Sequence, residues 1–296
     1  MLDARYHLFY SIAIFLMLGF GILIGASYYG PTQVRQQRDI FRKLVEETNT
    51  VVQQRNEAKA RLSDDEAALA SLRPALVRGK LAGKRVVLIQ TGDYADATQA
   101  ANQALEGAGA TVTATVVLSG RWGQLTARQR SALSSIAAPP NPAAQDKALL
   151  LALASALAQG IGISPANAAV LTALQQAGLL TLSGDLSQPC TLFVLVGGSS
   201  ADQPDTSQPD PSVDAGLLAG FAALPGVTIA GCEPSTAAAS SVPAYQAAGI
   251  ATIDCIDLPL GQIALPFALR GEPGDYGIKP TAKLRLPDSL GGTAAQ

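Results

Sequence analysis

Two short stretches late in the chain hold residue types that bind metals: Cys232-Glu233 and Cys255-Ile256-Asp257. Thiolates suit a soft ion such as copper(I), whereas carboxylates suit harder ones. Each stretch follows an apolar, β-branched run, so the two come together if those runs are neighbouring strands of a parallel sheet. Cys232, Glu233, Cys255 and Asp257 are therefore the candidate metal ligands. Asp93 is a further carboxylate at a strand end. With Glu233 and Asp257 it suits acid/base work or a hard cation, and it equally suits capping of the helices that follow. Cys190 precedes its strand and is expected at the opposite edge of the sheet. In an exported domain Cys232 and Cys255 are a candidate disulfide pair, and in the cytosol all three cysteines stay thiols.

Other chemistries find less support. The single histidine, His7, lies near the amino terminus, so no histidine-based dyad or triad forms in the later part of the chain. No strand-end loop matches GxGxxG or GxxxxGK[ST]. The run Gly197-Gly198-Ser199-Ser200 suits a tight strand-to-helix turn or an anion cradle of backbone N–H groups. The cysteines, with Met1 and Met17, form no CxxC or MxxM cluster. We therefore assign no catalytic residue and no required cofactor. The formal net charge is −2, and the basic residues between 35 and 61 alternate with acidic ones, which excludes a nucleic-acid surface.

The elements that position these residues read as an α/β domain over 84–279. Strands are expected at 85–90, 111–118, 191–196, 227–230 and 250–254, with helices at 95–107, 125–137, 146–159, 167–177, 213–224 and 237–248. That alternation predicts a doubly wound, mainly parallel sheet, with ligands at the carboxyl ends of its strands. The segments 138–142 and 199–211 are exposed loops by composition, and 280–296 reads as a disordered tail.

Ahead of the domain the character changes twice. After a short segment 1–7, residues 8–34 carry no charged side chain. At 1.5 Å per residue, the ~20 apolar residues from Phe9 cover roughly 30 Å, the thickness of a bilayer core. A cleaved signal has a basic start and an apolar run of ~7–15 residues, so 8–30 reads as a retained anchor. Gly21 and Gly25 form a GxxxG, a spacing that lets two helices approach closely in lipid, although glycine is also common in membrane helices. Over 32–78 a heptad places Val34, Phe41, Thr48, Arg55, Leu62, Leu69 and Leu76 at one seam position. Gln37, Leu44, Val51, Ala58, Asp65 and Leu72 take the other, which predicts a self-associating coiled coil, with a single amphipathic helix folded back on the globular domain as the alternative. Arg35, Arg38, Arg42 and Lys43 follow the span and only Arg5 precedes it, so the positive-inside bias places the domain in the cytoplasm.

The opening Asp3-Ala-Arg5-Tyr6-His7 before a glycine-rich membrane helix is matched late in the chain by three further motifs. These are Val242-Pro-Ala-Tyr245-Gln-Ala-Ala-Gly249, Ile253-Asp-Cys-Ile-Asp257 followed by Pro259-Leu-Gly261-Gln262, and Arg270-Gly271 leading to Gly274-Asp-Tyr276-Gly277. Together they resemble the MctB-type copper transporter family. The resemblance implies a single-pass membrane protein of the cell envelope involved in copper efflux or homeostasis, oligomeric, with copper ion as its metal and the α/β domain outside the cytoplasm. It also implies channel formation in an outer membrane. One span makes a pore only by assembling several copies, and the chain lacks the series of ~10-residue alternating strands of a barrel. On orientation the resemblance and the charge bias point to opposite sides, and we take the outside as the expectation. A bitopic scaffold docking an envelope partner is the alternative, and an enzyme acting at the strand ends is the third reading.

Overall fold

The computed structural model describes residues 3–122, 124–137, 144–200 and 211–291. The expected loops at 138–142 and 201–210, the last residues of the tail at 292–296, and Met1 lie outside them. The first element is a helix, α1 (Asp3–Val77). Its stretch Tyr6–Gly25 is long and apolar enough to cross a membrane, and none of that stretch is buried within the chain. Gly21 and Gly25 have open space where a side chain would stand. Further along, Phe41, Leu44, Val51 and Leu62 are exposed. Among the described residues no second helix packs along these positions.

The second compact unit spans Glu66–Gln296 and contains the last turns of α1. There the heptad is put to another use: Leu69 and Leu76 pack on the core of the α/β domain, and Val77 is buried in it. Leu72, at the other seam position, stays exposed between them, and the second compact unit takes in these last turns of the helix.

Seven strands form one sheet in the order β3-β2-β1-β4-β5-β6-β7. They are β1 (Arg85–Gln90), β2 (Thr111–Leu118), β3 (Leu180–Gly184), β4 (Leu192–Val196), β5 (Thr228–Cys232), β6 (Ala251–Ile253) and β7 (Asp275–Tyr276). All neighbours are parallel except β2 and β3. β1 and β4 are buried nearly throughout, as expected of central parallel strands covered on both faces. One face is covered by α4 (Gln145–Gln159), α5 (Pro165–Gln176) and α6 (Pro211–Ala222), with Trp122 donating its indole N–H to the Leu179 carbonyl at 2.9 Å. The other is covered by α2 (Ala95–Gly107), α8 (Pro259–Leu269) and the end of α1. Two short helices, α3 (Ala127–Ala132) and α7 (Val242–Ala247), complete the unit.

This is the doubly wound, mainly parallel α/β architecture that the alternation predicts, with three additions. The edge strand β3, helix α8 and β7 are absent from the sequence reading. Residues 280–291 also depart from the expected tail. Lys283 and Leu284 donate backbone N–H groups to the Asp275 carbonyl, and Leu284, Leu286 and Leu290 pack on the core, so burial of three leucines orders the segment.

Candidate functional site

The strand order changes direction between β1 and β4, and the loops leaving those strands flank the crevice where sheets of this kind take ligands. Here the crevice is closed by backbone. A Cβ on Gly92 would fall 2.1 Å from the Gly198 carbonyl oxygen, and Thr91 and Gly92 both donate to the Val196 carbonyl, at 2.9 and 3.1 Å. Gly198 has φ +83°, so the Gly-Gly-Ser-Ser run is spent on a tight turn. The Asp93 carboxylate accepts the Ser200 N–H and hydroxyl, fixing one loop to the other.

The expected ligand residues lie one and two strands further along. Cys232 is the last residue of β5 and pairs in register with Ile253 of β6, while Cys255 follows two residues later. Both are fully buried. All three cysteines are thiols, so the Cys232–Cys255 disulfide considered for an exported domain is absent. Cys190 sits at the opposite edge, its thiol facing the Arg85 and Leu192 carbonyls, as its place in the sequence predicts.

Burial pushes the Cys232 thiol far above its ordinary pKa, with Cys255 and Glu233 adding to the shift. The Cys255 thiol is pushed up to about 12, by burial first and then by the nearby Asp254 and Asp257 carboxylates. Both sulfurs are thus held protonated, and a metal taking them must displace the protons.

The two carboxylates are engaged by their own surroundings. Glu233, fully buried, accepts Lys279 Nζ at 2.5 Å and the Ser240 hydroxyl at 2.8 Å on Oε1, and the Ser241 N–H at 2.8 Å on Oε2. Asp257 is exposed and holds the loop after β5 by accepting the Ser235 N–H and hydroxyl, at 2.6 and 2.5 Å. Among the described residues, no three of His, Cys, Asp and Glu form a group able to hold a metal ion. The four expected ligands are therefore drawn to one end of β5 and β6 without closing a ligand shell. Asp93, Glu233 and Asp257 likewise serve three separate loops rather than one acid/base cluster.

Sequence reading missed two residues that organise this end of the sheet. Lys279 neutralises Glu233 from 46 positions away. Asp254, buried at 1% exposure, accepts the N–H groups of Ile278 and Lys279 at 2.7 and 3.0 Å. Gly277, with φ +149°, makes that approach possible, because a Cβ there would fall 1.8 Å from the Asp254 Oδ1. The motifs around Asp254 and Gly277 were visible as motifs, but only the fold brings them into contact.

Comparison with known proteins agrees with the motifs. A family model described as "Copper transport outer membrane protein, MctB" matches residues 1–287. The chain is 27% identical over 314 residues to curated proteins named copper transporter MctB from Mycobacterium bovis and from Mycobacterium tuberculosis strains CDC 1551 and H37Rv. Each alignment covers 94% of this chain and 96% of the relative. With the anchor-like helix, the α/β sheet and the interlocked C-terminal motifs all inside the matched span, this chain belongs to the MctB copper transport family.

Proposed function

We propose that this chain is a single-pass, self-associating protein of the cell envelope that acts in copper homeostasis, in the direction of efflux and without catalysis. Membership of a copper transport family carries the reading, and the exposed apolar stretch Tyr6–Gly25 supplies its anchor. Self-association rests on two open surfaces of the helix, the Gly21/Gly25 face and the seam of Phe41, Leu44, Val51 and Leu62. The α/β domain lies outside the cytoplasm. Copper ion is the cargo. Cys232, the last residue of β5, and Cys255, two residues beyond β6, are the proposed soft donors, with Glu233 and Asp257 as the carboxylates beside them.

Deleting the gene and measuring copper content and growth in copper-supplemented medium tests this. The account expects copper to accumulate and growth to fall, with both restored by the full chain and neither by a chain lacking residues 1–25. Unchanged copper content and tolerance in the deletion strain would reject the role.

A second reading, a bitopic scaffold whose domain docks a partner without binding metal, is favoured by one observation. Every carboxylate near the two thiols is committed to a bond within the domain. Under that reading a Cys232→Ser/Cys255→Ser chain restores copper content and growth of the deletion strain to the wild-type level, because the cysteines are dispensable.

A further inference from the structure

Beside the end of β5, the side-chain oxygens of Thr91, Asp214 and Tyr245 are buried together. Thr91 leaves β1, Asp214 stands in the first turn of α6, and Tyr245 projects from α7. Their relative exposures are 4%, 5% and 0%. Among the described residues, Thr91 Oγ1, Asp214 Oδ1 and the Tyr245 hydroxyl each lack a partner at hydrogen-bonding distance. The Thr91, Ser241 and Tyr245 hydroxyls all face the Asp214 carboxyl. Buried polar atoms are rarely left unsatisfied, so three in one place call for an explanation.

Space and charge decide it. A Cβ on Gly197 would lie 2.2 Å from the Tyr245 hydroxyl and 2.5 Å from Ser241 Oγ, and one on Gly231 would lie 2.3 Å from the Tyr245 ring. The hydroxyls are pressed onto backbone, which leaves no room for a cation with a ligand shell. Of the groups facing Asp214, α7 supplies Ser241 and Tyr245, and the β1 loop supplies Thr91, with Asp93 beyond it engaged by Ser200. The end of β5 supplies Glu233, of the same sign and already paired with Lys279. Cys232 acts on Tyr245. From the α4 side, Leu150, Leu151 and Ala154 close on Gly216 and Gly220 of α6. Among the described residues no cation faces Asp214, and a buried carboxylate so placed is strongly disfavoured, the smallest remedy being a proton.

We propose that Asp214 is held as a neutral acid whose proton locks β1, β4, α6 and α7 together, so that its ionisation loosens this junction and makes it a pH-sensitive latch. Burial raises the Asp214 pKa, against the opposing pull of the three hydroxyls. For an acid raised in the folded state, the stabilising contribution is complete below the ordinary carboxylate range. It is lost as pH rises through the folded pKa.

The test is thermal unfolding of the full chain in detergent from about pH 5 to about pH 9, with Asp214→Asn and Thr91→Val beside the wild type. The wild-type midpoint is expected to fall by several degrees as pH rises, and Asp214→Asn, a neutral isostere, to flatten that fall. Thr91→Val removes a hydroxyl that favours the ionised form, so its fall is expected at higher pH. A wild-type slope kept in Asp214→Asn overturns the proposal. Should Asp214→Asn fail to fold, infrared spectroscopy of the wild type decides. A protonated carboxyl band at neutral pH, lost together with the stability, supports the latch, and absence of that band overturns it.

Discussion

At Glu233 the choice between metal ligand and structural anchor turns on its partners: a lysine, a hydroxyl and a backbone N–H saturate the carboxylate. Removing one member of a buried pair strands the other, so Glu233→Gln is expected to destabilise the domain by about 3 kcal/mol in chemical denaturation. Gly277→Ala places a methyl against the Asp254 carboxylate and is expected to cost about 2 kcal/mol or more. The cysteines make a separate prediction. Because burial keeps both thiols protonated, Cys232 and Cys255 should resist alkylation at neutral pH in the folded chain and react after denaturation, as followed by mass spectrometry. If they are nevertheless the soft donors, Cys232→Ser/Cys255→Ser abolishes copper(I) binding by the purified chain, and unchanged stoichiometry by calorimetry rejects them.

The candidate ligands read in the sequence as residues at strand ends; Cys232 is the last residue of β5 and Cys255 lies two residues beyond β6. Their neighbours were not legible. Lys279 and Asp254 belong to the site through contacts between distant segments, and nothing in local spacing announces a partner 46 positions away. Asp214 was hidden for the same reason: its hydroxyl neighbours come from the β1 exit and from the start of α7.

Among the elements, β1, α2 and β2 lie where apolar runs and turn residues place them, because each is a strong local pattern with a clear stop. The misses have physical causes. β3 is a short edge strand, Leu180–Gly184, whose exposed face carries polar residues and whose pairing is antiparallel. α8 contains Pro259, Gly261 and Pro266, which break a helical pattern on paper. In the fold Pro259 takes the first turn, where its missing N–H costs nothing, and Gly261 lets the helix lie against the Cys255 carbonyl. The heptad was half legible. Of its seam positions, Leu69 and Leu76 face the domain core rather than a second helix, while Leu72 between them stays exposed. This divides the helix into a free seam and a docked end, and it fixes where association is to be sought. Leu44→Glu and Val51→Glu put charge on the free seam, and Gly21→Ile with Gly25→Ile blocks close approach in lipid. Each pair is expected to reduce cross-linked oligomer several-fold in membranes. Oligomer yield unchanged in both pairs would mean the chain acts singly.

For the whole molecule, the account holds that an anchored α/β domain serves copper homeostasis from outside the cytoplasm. The motif resemblance implies that position, while the four basic residues after the span, Arg35, Arg38, Arg42 and Lys43, favour the reverse. Position also governs chemistry, because it sets whether the buried thiols face an oxidising compartment and whether the Asp214 junction meets an external pH. The most direct measurement is a pair of C-terminal reporter fusions, one active only outside the cytoplasm and one only inside, compared in the same membrane. The account predicts activity from the outside reporter and silence from the inside one. Activity from the inside reporter alone would contradict it, leaving the basic residues as the true determinant and an envelope role in copper export without its domain.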